Sequence, residues 1–330
     1  MGVRIKRLGH TGLRVSDICM GTMTFGNQAD EPTAHAILNR AFDAGVNFID
    51  TADVYPVPPT IETAGRTEEI VGRWLPDKRH HVILATKCRA RVGRGPNDEG
   101  LSRAHILDAI DASLRRLQTD YIDLYQVHSP DPETPIDETL KALDDLVRWG
   151  KVRYVGCSNF EAWRLYKALW VSDRLRLARF DCIQPRYNLL YREIERDLLP
   201  ICVEEGIGVI VYNPLAGGLL TGKYRRGDPP PEGTRFALGG RSGPLYRNRY
   251  WHDTLFDAVD KVREVAQGSG ATPAQISLAW LLQQEGVTSA IVGATRPEQL
   301  DETLVAADLS LDASATQTLS AVSPPSPGQG

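Results

Sequence analysis

Eight apolar, strand-like runs, each followed by a helix-like segment or a loop, predict an α/β chain closed into a (β/α)8 TIM barrel. An N-terminal β-hairpin and long loops at the C-terminal face complete the expected fold. Two further observations favour one barrel over two domains. The alternation runs without a break in composition, and 330 residues suffice for a barrel of about 250 residues plus insertions. Residues 1–322 are expected to form this single domain, and the Pro/Gly-rich residues 323–330 a disordered tail.

The elements follow in order. Residues 3–8 and 13–15, joined through His10-Thr11-Gly12, read as the hairpin. Strands are expected at 18–20, 47–50, 82–86, 122–127, 154–158, 182–184, 208–212 and 289–292, where short apolar runs meet turn residues. Between them, helices are expected at 33–44, ending at Gly45, and at 67–75, ending at Pro76. Residues 102–117 begin with an N-cap serine and place Ile106, Leu107, Ile110 and Leu114 on one face. Residues 136–149 and 193–205 end at Gly150 and Gly206, the usual stop signal. Three segments break the rhythm: 56–66, 89–100 and 222–250. Each follows a strand end, so each is expected to line a pocket.

Composition narrows the function. Apolar residues make up 42% and charged residues 24%, with a formal net charge of −4. No Lys/Arg-rich run points to nucleic acid or an anionic membrane as a partner. The opening Met1-Gly2-Val3-Arg4-Ile5-Lys6 lacks the apolar core of a secretory signal, and no apolar run approaches about 20 residues. The five cysteines show no CxxC spacing and fall mostly in apolar runs. A reduced, cytoplasmic protein without a metal site is expected. The oligomeric state is not legible, because no segment marks an exposed interface helix.

Four strand ends carry chemistry. Phe48-Ile49-Asp50 leads to Tyr55, Ala85-Thr86 to Lys87, Tyr125-Gln126-Val127 to His128, and Gly156-Cys157 to Ser158-Asn159. Taken singly, Asp50 reads as a turn cap, Tyr55 as rim packing and His128 as a structural histidine. A lysine at the end of a buried strand is costly unless paired. Together they form a coherent device. An ammonium beside a phenol favours the phenolate and lowers the tyrosine pKa, and a carboxylate holds the ammonium charged. A tyrosine so placed can protonate a carbonyl oxygen, which His128 can also orient.

The order Asp, Tyr, Lys, His on successive strand ends resembles the aldo-keto reductase family, over about residues 3–307. The resemblance is to the branch with bacterial Tas-like members and potassium-channel β subunits. It implies Tyr55 as general acid/base with Asp50, Lys87 and His128 as partners. It also implies NADPH as cofactor, NADH being possible, and a small carbonyl or alcohol substrate. The expected reaction reversibly reduces an aldehyde or ketone, hydride coming from nicotinamide C4 and the proton from Tyr55. The Tyr55-Pro56-Val57-Pro58-Pro59 run and its insertion resemble the Tas-like members.

No GxGxxG follows the first strand, since Gly21-Thr22-Met23-Thr24-Phe25-Gly26 does not fit it, so a Rossmann site is not expected. Ser158, Asn159 and Gln184 can grip a carboxamide, and Tyr212 can stack on a ring. Pro214-Leu215-Ala216-Gly217-Gly218 lets backbone N–H groups approach a pyrophosphate, with Lys223 and Arg235 as countercharges. The resemblance adds Gly21, Thr22, Met23, Asp50 and Asn213, and a phosphate- and adenine-binding stretch of Gly293, Thr295, Gln299 and Glu302, with Arg296 placed for the phosphate. It departs at Thr303, where many relatives carry Asn.

Two other functions are weighed. A nucleotide-sensing subunit with weak turnover would resemble the channel subunits, but these carry Asn where this chain has His128. A metal-dependent hydrolase would need a ligand cluster across the strand ends, whereas His80-His81 precede a strand. Tyr187, Tyr191, Tyr246, Tyr250 and Trp251 are candidates for an aromatic pocket. Arg89, Arg91 and Arg94 are candidates for binding an acidic substrate.

Overall fold

The computed structural model describes residues 2–322, so the expected disordered tail, 323–330, lies outside the described residues. Two short strands, β1 (Ile5–Arg7) and β2 (Arg14–Ser16), pair antiparallel as the expected hairpin, with Lys6 opposite Val15. Eight parallel strands follow among the described residues: β3 (Ile18–Gly21), β4 (Phe48–Asp50), β5 (Ile83–Cys88), β6 (Ile122–Val127), β7 (Val152–Ser158), β8 (Phe180–Gln184), β9 (Gly208–Val211) and β10 (Val287–Gly293). β10 pairs with both β9 and β3 and closes the barrel. The predicted (β/α)8 TIM barrel is therefore the observed fold. The strands read as unbroken apolar runs because both of their faces are covered.

The surrounding helices are α1 (Glu31–Asp43), α2 (Arg66–Trp74), α3 (Arg103–Leu117), α4 (Ile136–Arg148), α5 (Ala162–Leu175), α6 (Leu198–Glu205), α7 (Ser242–Tyr250), α8 (Asp253–Gly268), α9 (Pro273–Leu282), α10 (Glu298–Leu304) and α11 (Ala313–Ala321). Their starts follow local chemistry. Asp30 caps α1 by accepting from the Thr33 N–H, and Ser102 caps α3 by accepting from the His105 N–H. Thr272 and Gln275 form a reciprocal capping box at α9.

Two expectations fail for physical reasons. The helix expected at 193–205 is broken into a 3-10 turn, Glu193–Glu195, and α6. Pro200 lacks an N–H and fits only the first turn of a helix, so α6 starts just ahead of it. The segment 222–250 is not loop throughout, because α7 occupies its end. Interior and outer layers are separate. Inward residues Cys19, Phe48, Ala85, Leu124, Cys182, Ile210 and Ile291 pack together with Leu8 and Val15 of the hairpin. A Cβ on Gly208, at the start of β9, would lie 2.6 Å from Leu8 Cδ1, so the hairpin seals the N-terminal end of the barrel. Function is left to the other end. On the outside, α5 turns Trp163, Tyr166 and Trp170 to solvent, a feature that the sequence did not mark.

The turn after β4 is held from behind. The Asp53 N–H donates to the Lys87 carbonyl at 3.1 Å, and the Thr67 N–H to the Tyr55 carbonyl at 3.4 Å. Buried Glu68 of α2 accepts from Thr86 Oγ1 at 2.5 Å and from Arg116 Nε of α3 at 2.7 Å. The Asp53 carboxyl beside it is buried with no hydrogen-bond partner among the described residues. Burial, and then the Glu68 charge, push its pKa well above the carboxylate range, against the weaker pull of Arg116.

Leu8→Ala should destabilise the protein by about 2–5 kcal/mol, read by chemical denaturation, because it empties the seal of the inner core. Asp53→Asn has an opposite, pH-dependent sign. A carboxyl protonated in the folded state and ionised in the unfolded chain loses stability as pH rises above the ordinary carboxylate pKa. Thermal melts should therefore show the Asp53→Asn variant gaining on the parent protein from pH 5 to pH 8, at no more than about 1.4 kcal/mol per pH unit. A constant difference across that range would contradict a neutral Asp53.

Candidate active site

The C-terminal strand ends converge on a cavity of about 960 Å³. β4 and β5 run in register, Asp50 beside Ala85, and β5 sets Lys87 beside Gln126 of β6. This brings Lys87 Nζ to 2.5 Å from Asp50 Oδ1 and 2.8 Å from the Thr51 carbonyl, with both side chains buried. Asp50 Oδ2 accepts from Gln184 Nε2 at 2.9 Å and Gln126 Nε2 at 3.2 Å. The carboxylate is thus saturated, which makes the buried charge tolerable.

Tyr55 lies over this pair. Lys87 Nζ is 5.1 Å from the centre of its ring, and the His128 ring meets it edge-on at 5.8 Å between centroids. Burial raises the Tyr55 phenol above its ordinary pKa, and the Lys87 charge only partly offsets this. The expected lowering by Lys87 is therefore outweighed, because desolvation penalises the phenolate more than one neighbouring cation stabilises it. For Lys87 the balance is reversed. Burial opposes its charge, but Asp50 and Tyr55 together raise its pKa. Burial, with help from the Lys87 and Arg89 charges, pushes His128 down to about 3, and its Nδ1 is buried without a partner among the described residues. At neutral pH the cluster holds a protonated phenol, an ammonium bonded to Asp50 and a neutral imidazole.

The same cavity is lined by Gly21, Thr22 and Met23 beyond β3, by Ser158, Asn159 and Gln184, and by Tyr212, Asn213, Pro214, Leu215, Gly217 and Lys223 beyond β9. Arg235, Gly293, Thr295, Arg296, Gln299, Glu302 and Thr303 complete the wall. Ser158 Oγ donates to the Gln184 carbonyl at 2.7 Å, and Asn159 Nδ2 to the His128 carbonyl at 2.9 Å. Tyr212 donates to Asn159 Oδ1 at 2.8 Å. Gly217 and Gly218 adopt φ of 69° and 100°, so the turn after β9 depends on glycine. The loop beyond it crosses the opening, where Gln28 Nε2 donates to the Gly233 carbonyl at 3.0 Å and Arg235 Nη1 reaches Met23 Sδ at 3.0 Å.

Some expected residues do not reach the cavity. Lys87 lies beneath its wall, and Ala216 is buried behind it. The loop 89–100 contributes nothing to the lining, since Arg91 pairs with Glu99 and Arg94 with Glu62 at 3.4 Å. Tyr246 lines it, but Tyr187, Tyr191, Tyr250 and Trp251 pack elsewhere, Trp251 against Phe236 and Tyr224. The insertion 56–66 supplies Val57 and Pro59, as expected. The segment 222–250 lines the cavity as expected, but its Leu245 and Arg249 were not singled out, and Gln28 was missed altogether. Among the described residues no group of His, Cys, Asp or Glu is arranged to hold a metal, and no helix is long and apolar enough to cross a membrane.

The chain is similar in sequence to known proteins. The sequence profile of the aldo/keto reductase family matches residues 17–324. The chain is 39% identical over 324 residues to the "Uncharacterized oxidoreductase YrpG" of Bacillus subtilis, covering 96% of this chain and 95% of that protein. It is 39% identical over 312 residues to a "Probable voltage-gated potassium channel subunit beta" of Oryza sativa subsp. japonica, covering 93% and 92%. It is 37% identical over 339 residues to "Protein tas" of Escherichia coli, covering 96% of both. With a profile match over nearly the whole chain and a closed barrel whose strand ends gather Asp50, Tyr55, Lys87 and His128, the chain belongs to the aldo/keto reductase family.

Proposed function

We propose that the protein is an NADPH-dependent reductase of aldehydes or ketones, with the reaction reversible and Tyr55 as proton donor. The observation that carries this reading is the buried Lys87–Asp50 pair under Tyr55, with His128 against the same ring. A structural ion pair would not need a phenol and a neutral imidazole facing an open cavity. The phenol is held protonated, as a donor to a carbonyl oxygen must be. Neutral His128 can share that oxygen and orient the substrate. When the phenol gives up its proton, Lys87 stabilises the resulting phenolate, and Asp50 keeps Lys87 charged and in place.

The residues present fit a nicotinamide dinucleotide. Asn213 Nδ2 is buried in the cavity wall without a partner among the described residues, a donor waiting for an acceptor. Gly293 lies beside Arg235, where a Cβ would come into contact with Nη2 at 3.5 Å. Lys223 and Arg296 gather positive charge near one another, Arg296 depressing the Lys223 pKa in addition to burial, and Arg235 adds a third cation between Gly293 and Tyr246. Such a cluster suits pyrophosphate and a ribose phosphate, which favours NADPH over NADH. Ser158, Asn159 and Gln184 would orient the carboxamide, and Tyr212 would cover the ring. When bound, the nicotinamide supplies hydride from C4.

Purified protein should oxidise NADPH with an aldehyde panel, followed by absorbance. Tyr55→Phe should lose at least about 100-fold in kcat while still binding NADPH. Tight binding without turnover would move the reading to a nucleotide sensor, and failure to bind either nucleotide would overturn it. The pH profile of kcat/KM should lack an inflection near 6.5, since His128 is neutral throughout; an inflection abolished by His128→Asn would contradict that. Arg296→Ala should weaken NADPH by about 10- to 100-fold and NADH much less, measured by fluorescence titration.

A further inference from the structure

The cavity wall carries a cation that the proposed chemistry leaves idle. Arg249 sits on α7, one turn after Tyr246, half-buried and lining the cavity. It makes no ion pair or hydrogen bond with any of the described residues. Its surroundings place it at the catalytic end. Arg249 acts electrostatically on Tyr212, whose hydroxyl bonds Asn159. Its neighbour Tyr246 acts on Tyr55 and donates to Asn213 Oδ1 at 3.2 Å. Lys223 and Arg296 belong instead to the region of Glu302. The cavity's charges point the same way. Asp50 is cancelled by Lys87, and the acids left on the wall are Glu232 and Glu302, against Lys223, Arg235, Arg249 and Arg296. With three of those cations given to the dinucleotide, Arg249 remains uncompensated.

We propose that Arg249 selects substrates bearing a carboxylate at some distance from the carbonyl. The proposal rests on the reductase reading above and names its substrate class. A guanidinium offers a planar pair of N–H donors that matches a carboxylate, and partial removal from water strengthens that contact. The same cavity also offers an apolar body room to pack, since Val54, Val57, Pro59 and Leu245 are among its lining residues. The matching ligand is an aldehyde or ketone with a hydrophobic or aromatic body and an acidic end. Of the earlier candidates for this role, Arg91 and Arg94 pair with Glu99 and Glu62 outside the cavity, and Arg89, its Nε buried without a partner among the described residues, does not line it.

The test compares 4-carboxybenzaldehyde with 4-methylbenzaldehyde, two aldehydes of similar size that differ in charge. The wild-type protein should prefer the carboxylated one in kcat/KM. Arg249→Met should lower the ratio of the two kcat/KM values by about 10- to 100-fold, mainly through KM for the acid, and Arg249→Lys should restore part of it. Terephthalate, which has no reducible carbonyl, should bind the wild-type protein in calorimetric titration and bind Arg249→Met more weakly. That titration separates the two readings, since terephthalate binding that depends on Arg249 without any aldehyde turnover would fail the reductase and keep the anion site. The proposal is overturned if the wild type does not discriminate between the aldehydes. It is also overturned if Arg249→Met loses both equally, a structural effect, or loses NADPH affinity, which would assign Arg249 to the cofactor.

Discussion

The ion pair between Lys87 and Asp50 is the constraint around which the site is built. Two charges removed from water cost several kcal/mol each, and losing one partner leaves the other uncompensated at about 3–5 kcal/mol. The barrel meets that cost with geometry. Asp50 draws on three donors from three strands, Lys87, Gln126 and Gln184, and Lys87 adds the Thr51 carbonyl. Each donor is in place only if the parallel register is correct. The pair therefore ties the geometry beneath Tyr55 to closure of the barrel, while burial, only partly offset by the Lys87 charge, decides the protonation of Tyr55 above it.

Desolvation works differently on each member of this group. It opposes ionisation of Tyr55 and protonation of His128, so both stay neutral, while contact with Asp50 and Tyr55 keeps Lys87 charged. One environment thus yields a protonated phenol and a neutral imidazole side by side. Behind the turn, Asp53 and Glu68 repeat the theme without reaching the cavity. Glu68 is tied to Thr86 and Arg116, and Asp53 sits beside it unpartnered among the described residues. Stability is given up here at neutral pH, in the wall that holds the turn carrying Tyr55.

The barrel divides its labour between its ends. The hairpin seals the N-terminal end with Leu8 and Val15, which pack on an apolar cluster inside the barrel. At the other end the strands stop and polar groups take over. The loop beyond β9 crosses the opening through Gln28–Gly233 and Arg235–Met23, so the wall is finished by segments distant in sequence. α7 adds a face that contains Tyr246 and Arg249.

Much of this was legible in the chain itself. Apolar runs of strand length, with turn residues after them, marked the eight barrel strands to within a few residues, because a strand covered on both faces must be apolar along its length. The four ionisable strand ends stood out for the same reason, since a charge at the end of such a run needs a purpose. Helix 193–205 was misjudged where Pro200 overruled the apolar pattern, and α7 was hidden in a segment rich in glycine, proline and arginine. What the tertiary structure decided was which groups share a space and which of two opposing effects wins. Lys87 and Tyr55 alone suggested a lowered phenol pKa, and only burial reversed it. Arg89, Arg91 and Arg94 looked available for a substrate until Glu99 and Glu62 were seen beside two of them, while Arg249, ordinary in sequence, faces the cavity. Local sequence determines which residues are costly to bury. Partners and solvent exposure arise from contacts between distant segments, and only the folded chain sets them.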